Sequence, residues 1–242
     1  MHIRNALLAM IISVLSAFPA RAAEPLHIAY FSGSARSKIG ALIMVEVYKR
    51  ANIDTVAMSM PGARNAPSAE ASLVVGESVR VYSYADAHPT LTRVEPAVTE
   101  WTTVAFYRDD ASINLAGPSD MRNFRVGYVR GTRAAEDVIA EQRLTNVEGV
   151  DTPETLFKML NARRFPVALD GGTNGAYWIR KGDYPHIAKL EINKIPLYHF
   201  LSPKYRELAP VLSQTIKQLR ASGELAKIAA RAEEAVMESG IN

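Results

Sequence analysis

The apolar positions of the chain switch repeatedly between a two-residue and a helical period. Leu26-His27-Ile28-Ala29-Tyr30-Phe31 is rich in β-branched and aromatic residues and reads as a short strand. Ser32-Gly33-Ser34 punctuates it. Over residues 37–50, Ile39, Leu42, Ile43, Val45 and Val47 form an apolar face, with Glu46, Lys49 and Arg50 left for solvent, so a helix is expected there. Thr55-Val56-Ala57-Met58-Ser59-Met60 is the next strand, stopped by Pro61-Gly62. A strand, a helix and a strand at this spacing make a βαβ unit and therefore a parallel sheet.

The pattern continues with a short helix over 67–71, strands over 73–77, 79–81 and 92–94, and a long aromatic strand over 101–107. After Arg108-Asp109-Asp110 it restarts. A strand is expected over 123–129, a turn at Gly131-Thr132, a helix over 134–142 and a short strand over 147–150. Thr152 is placed as a helix N-cap, with Pro153 at the first helical position, for a helix ending at Asn161. Phe165-Pro166-Val167-Ala168-Leu169-Asp170 is again a strand, closed by the turn signal Gly171-Gly172. The second βαβαβ set repeats the first, which predicts two α/β lobes. A strand over 195–201 and a helical tail over 203–237, interrupted at Gly223, complete the chain.

The N-terminus follows a different logic. Met1-His2-Ile3-Arg4-Asn5 is a positive start, residues 6–18 are an uncharged and mostly apolar run, and Pro19-Ala20-Arg21-Ala22-Ala23 closes with small residues. That is the layout of a secretory signal peptide over 1–23, cleaved after Ala22 or Ala23, and the run is shorter than the roughly 20 residues that span a bilayer. The destination expected from it is the periplasm. Lys and Arg total 28 against 25 Asp and Glu in the whole chain; removing Arg4 and Arg21 leaves 26 against 25, a charge of +1. Such a balance gives no argument for nucleic-acid binding. There is no cysteine, which excludes disulfides, zinc–thiolate sites and thiol nucleophiles. The five histidines show no metal-ligand spacing, and no G-x-S-x-G elbow, phosphate loop or dinucleotide fingerprint occurs. No cofactor or metal is implied.

The order of elements behind a signal peptide resembles that of the periplasmic solute-binding proteins of type II topology, in particular a divergent branch of the amino-acid-binding family 3. Val126-Gly127-Tyr128-Val129-Arg130-Gly131-Thr132 resembles the V-G-x-x-x-G-T that opens the second lobe of that family. The stretch 161–170, ending on Asp170, is similar to its L-x-x-G-R-x-D-A-x-x-x-D, and 208–228 to its closing helical pattern. The resemblance implies an α/β fold of two lobes joined by two hinge crossover strands, near 103–108 and 197–201. Lobe 1 would be 24–105 plus 198–242, and lobe 2 would be 106–197. No T-x-x-R precedes an F-D-F-S-like segment; the corresponding stretch carries Arg64, Arg80 and Arg93 instead.

Three groups are candidates for a small anion or zwitterion. Gly131 and Thr132, with the amides that follow, lie at a strand-to-helix turn suited to an anion, or Thr132 merely caps the helix. Arg133 beside them either adds a charge-assisted bond or is a solvated side chain. Asp170 sits at the carboxyl end of a parallel strand, where α/β folds bind ligands. The family resemblance implies that it accepts a ligand ammonium; the alternative is a turn aspartate bonded to the glycine-rich segment after it. Arg80 is the candidate carboxylate fork of lobe 1, or else the partner of Glu77 in a salt bridge. Ser32 and Ser34 can hydrogen-bond a ligand, and Tyr30, Phe31, Tyr82 or Trp101 can flank it. His199, in an apolar strand, is expected to be a hydrogen-bonded hinge or core residue.

The function expected from the resemblance is capture of a small polar metabolite, amino-acid-like or an organic acid. The protein would be a monomer serving an inner-membrane ABC permease, and not an enzyme. Two alternatives keep the fold: a ligand-sensing accessory of a membrane receptor, and a dehydratase using Glu77, Asp170 or His199 as acid–base group.

Overall fold

A computed structural model describes residues 24–109 and 113–240; the expected signal peptide over 1–23 lies outside them. The first half of the chain builds β1 (Leu26–Phe31), α1 (Ala35–Arg50), β2 (Thr55–Met60), α2 (Gly62–Glu70), β3 (Gly76–Val81), the single turn α3 (Tyr84–Ala87) and β4 (Thr92–Arg108). The second half builds β5 (Val126–Val129), α4 (Arg133–Glu141), β6 (Val147–Val150), α5 (Pro153–Asn161), β7 (Val167–Gly171), α6 (Gly172–Gly182) and β8 (Ile187–Leu201). The helices α7 (Ala209–Ala221) and α8 (Glu224–Ser239) close the chain.

Among the described residues the strands form an eight-stranded sheet in the order β2-β1-β3-β8-β4-β7-β5-β6. At one end β1 runs parallel to β2 and β3, and at the other β5 runs parallel to β6 and β7. Both are the βαβ arrangements that the periodicity predicts. Between them β4 and β8 form a long antiparallel pair. β3 holds the Leu197–Leu201 end of β8, and β7 holds β4 from Thr103 to Tyr107. The two strands therefore pass from one half to the other where Thr99 faces Leu197 and Thr102 faces Lys194.

Several elements differ from the expected ones, each for a local reason. α1 starts two residues early because the Ser34 hydroxyl accepts the Ser37 amide and caps it. The segments over 92–94 and 101–107 are one strand, with a register break between Val94 and Thr99 where the chain is irregular. The glycine-rich stretch after Asp170 is not a loop: Gly172 opens α6, an 11-residue helix. Gly175 falls where a side chain would run into the Phe106 ring, so this glycine lets α6 lie close against β4. Thr152 caps α5 through its side chain, with Pro153 following, as expected.

The core explains the order of the chain. α1 buries Ile39, Ile43, Met44 and Val47 together with Ile28 of β1 and with Leu212, Ile216, Ile228 and Val236 of α7 and α8. The C-terminal helices thus pack on the first half. In the second half, Val126, Val167 and Leu169 meet Ala135 and Val138 of α4 on one sheet face. Phe106 and Ala168 meet Leu156, Phe157 and Leu160 of α5 on the other. Residues covered on both faces read as continuous apolar runs.

Candidate functional site

A cavity of about 80 Å³ lies between the two halves of the sheet, several times the space one water needs. The first half contributes Phe31, Ser34, Arg36 and Ser37 from the β1–α1 corner, Val79, Arg80 and Val81 from β3, and Tyr84. The crossing strands supply Trp101 and Leu197. The second half supplies the β5–α4 turn from Gly131 to Ala134, Pro153 at the start of α5, and Asn174 of α6. A larger and more open cleft borders α7, α8 and the backs of β4 and β8. It receives nothing from the β5–α4 turn.

Arg80 lines the cavity because β3 is irregular. Glu77 faces Phe200 and Arg80 faces Tyr198, so β3 carries one residue more than β8 over this stretch. In a regular strand, residues three apart point to opposite faces; the extra residue brings Glu77 and Arg80 to the same one. Arg80 donates from Nε at 2.6 Å and from Nη2 at 2.5 Å to one carboxylate oxygen of Glu77. The Tyr84 hydroxyl donates at 2.7 Å to the other oxygen, and the Arg80 guanidinium lies 4.9 Å from the Tyr84 ring centre. Glu77 is 1% exposed, while the Arg80 side chain keeps 20% of its surface. Burial disfavours the Arg80 charge, but Glu77 and Tyr84 outweigh it and hold the guanidinium above its ordinary range. Arg80 thus forms the salt bridge with Glu77 and borders the cavity at once.

The β5–α4 turn uses two of its amides internally, that of Thr132 donating to the Val129 carbonyl at 3.1 Å and that of Gly131, which adopts φ +78°, to the Glu136 carboxylate at 3.0 Å. Thr132 is the N-cap of α4, yet its hydroxyl makes no capping bond. It borders the cavity, as does Arg133, whose Nε pairs with Asp137 at 2.9 Å and whose side chain is 59% exposed at the rim. Trp101 lines the cavity with its ring, while its indole N–H is buried out of reach of solvent, without a partner among the described residues.

Asp170 and Ser32 stand elsewhere. Ser32 is not among the lining residues, and its amide closes the corner by donating to Met60. Asp170 is fully buried behind the wall. Burial pushes its carboxyl up to about 7, against the opposing pull of the Gly171 amide and Asn174. Asn174 donates from Nδ2 to both Asp170 oxygens, at 3.3 and 3.4 Å. Its own carbonyl oxygen accepts the Ser34 hydroxyl at 3.3 Å and the Arg36 amide at 3.2 Å. Arg36 Nη2 reaches the Thr173 hydroxyl and Glu233, Arg36 Nη1 reaches Thr99, and Trp178 donates to the Gly33 carbonyl at 3.1 Å. The first turns of α6 are therefore bonded directly to the β1–α1 corner.

Arg36, Tyr84 and Asn174 were not indicated by the sequence. The one available signal was Asn174 four residues after Asp170, and the glycines around it concealed the helix. Arg93 bonds Glu95, stacks 3.5 Å over Tyr82 and does not line the cavity. His199 is buried in the core, between the Tyr48 hydroxyl at 2.9 Å and the Ser78 carbonyl at 3.3 Å.

The arrangement of two half-sheets joined by two long crossing strands is matched in solved structures. The sensor domain of a histidine kinase with similarity to periplasmic binding proteins superposes with a TM-score of 0.74 at 15% identity, over 86% of this chain and 95% of that one. The type II periplasmic-binding-protein fold is the fold of this chain. The ligand-binding core of GluR0 in complex with L-glutamate gives 0.74 at 13% identity, over 87% of this chain and 98% of that one. The substrate-binding protein of an amino acid ABC transporter gives 0.70 at 14%, over 85% and 97%. In sequence, an uncharacterized protein of Shewanella oneidensis is 25% identical over 172 residues, or 68% of this chain. The match spans 64% of that relative's own length. No family model matches the chain.

Proposed function

We propose that this type II protein is an extracytoplasmic solute-binding protein. Lobe 1, residues 24–105 with 198–242, and lobe 2, residues 106–197, would close on a small polar metabolite, amino-acid-like or an organic acid. The observation that carries this reading is the cavity itself. It joins Arg80 on one half to the Gly131–Thr132–Arg133 turn on the other, so a ligand touching both is held only when the halves approach. The signal-peptide layout of residues 1–23 supports a periplasmic location, and the likeness to a transporter's binding protein supports delivery to an ABC permease.

Binding rather than catalysis is the reading that the buried groups favour. Glu77 is committed to Arg80 and Tyr84, and neither Asp170 nor His199 lines the cavity. An acid–base role requires reach to a bound substrate. A second reading, a sensory accessory of a membrane receptor, is favoured by the likeness to a histidine kinase sensor domain.

The test is calorimetry on mature protein refolded free of ligand, against amino acids, polyamines, organic acids and small sugars. A ligand that binds and also lowers the radius of gyration in solution scattering supports capture by closure. Folded protein that binds no member of these classes overturns it.

A further inference from the structure

We infer that the ligand is short, a two- or three-carbon amino or organic acid, and that Trp101, seated on Gly171, sets this limit. This rests on reading the cavity as a ligand site. Its volume is about 80 Å³, roughly half that of an engineered cavity of ~150 Å³ that takes up benzene. Six carbons occupy the larger space, so about six non-hydrogen atoms is an upper bound for the smaller one. Alanine and lactate are of that size.

The walls do not yield more room by side-chain rotation, because each large group is already seated. A side chain at Gly171 would lie 2.7 Å from the six-membered ring of Trp101, so that ring packs close against the end of β7. Phe31 packs in the same way on Gly62 at the start of α2, where an added carbon would lie 3.1 Å from its ring. Arg80 and Tyr84 are both bonded to Glu77. Asn174 is held by Asp170 on one side and by Ser34 and Arg36 on the other. The bonds to Ser34 and Arg36 also tie α6 to the β1–α1 corner and fix the separation of the halves at that edge.

Trp101 has the largest of these side chains, and it is 8% exposed. Its ring takes up space that a longer ligand needs. Truncating a large buried side chain leaves a void that the surroundings fill only in part. Trp101→Leu therefore lengthens the cavity. Gly171→Ala acts in the opposite sense: the added carbon cannot coexist with the ring where it stands, and the ring's open side is the cavity. Two neighbouring positions thus tune ligand length in opposite directions.

The test is calorimetry on the mature protein, refolded free of ligand, with three series of two, three and six carbons. These are acetate, propanoate and hexanoate; glycolate, L-lactate and 2-hydroxyhexanoate; glycine, L-alanine and L-norleucine. In at least one series the two- or three-carbon acid is expected to bind at least tenfold more tightly than the six-carbon acid. Trp101→Leu is expected to shift that ratio at least tenfold toward the six-carbon acid, and Gly171→Ala to weaken the three-carbon acid at least tenfold. Melting temperatures establish that each variant is folded, and Gly171→Ala decides alone where Trp101→Leu does not fold. A six-carbon acid that binds as tightly as its shorter relatives overturns the size limit and leaves solute binding intact. Unchanged affinities in a folded variant overturn the assignment to Trp101 and Gly171. Failure of all three series overturns the inference, and the solute-binding reading falls with it only if the broader panel also fails.

Discussion

Asn174 donates its side-chain amide to both carboxylate oxygens of Asp170, and this fixes which way its carbonyl oxygen points. That oxygen accepts Ser34 and Arg36 from the opposite half of the molecule. The carboxylate of Asp170 is thereby used to aim a bond between the halves. Asn174→Ala leaves Asp170 and the Ser34 hydroxyl buried without this partner. It is expected to cost roughly 1–3 kcal/mol in urea denaturation, and to enlarge the radius of gyration of the unliganded protein in solution scattering. An unchanged radius would show that the other bonds of the α6 corner suffice.

Asp170 and His199 should give opposite pH dependences that cancel. Burial raises Asp170 to about 7, so its neutral form is favoured in the fold and stability falls as pH rises from about 4 to about 7. Burial lowers His199 to about 4, so its neutral form is also favoured, and stability falls as pH drops from about 6.5 toward 4. Over the shared window the two slopes are each about 1.4 kcal/mol per pH unit and of opposite sign. Relative to the native protein, Asp170→Asn should gain stability with rising pH, and His199→Gln should lose it. Denaturation midpoints measured from pH 4.5 to 6.5 check both signs.

The Glu77–Arg80 pair makes removal of either partner costly. Arg80→Ala strands the Glu77 charge at a position 1% exposed, which is expected to destabilise by about 3 kcal/mol. Glu77→Gln with Arg80→Gln removes both charges and should recover most of that loss. Binding of an anionic ligand should fall at least tenfold in both variants. Wild-type affinity in the folded double variant would remove Arg80 from the site.

Gly76 is the glycine least able to accept a side chain. A Cβ there would run into the Phe200 backbone carbonyl, which the β3–β8 pairing holds in place. Gly76→Ala is expected to cost about 1–3 kcal/mol, more than Gly117→Ala, where the added carbon meets nothing. Thermal melts of the two variants make the comparison.

The sequence by itself determined the two βαβαβ sets, the caps at Thr152 and Pro153, and the turn at Gly131-Thr132, because strand and helix periods and capping chemistry are local. It also placed Arg80 and the β5–α4 turn among the candidates, and these do meet at one cavity. Tertiary structure decided the rest. The extra residue in β3 turned Arg80 toward Glu77, and a bulge is set by the partner strand rather than by either strand's own pattern. Close approach of α6 to Phe106 made a helix of a stretch whose glycines read as a loop, and so converted Asp170 from a cleft residue into the support of Asn174. Those outcomes depend on what packs across from each residue, Tyr198 from Arg80 and Phe106 from Gly175, far apart in the chain where no local periodicity encodes them.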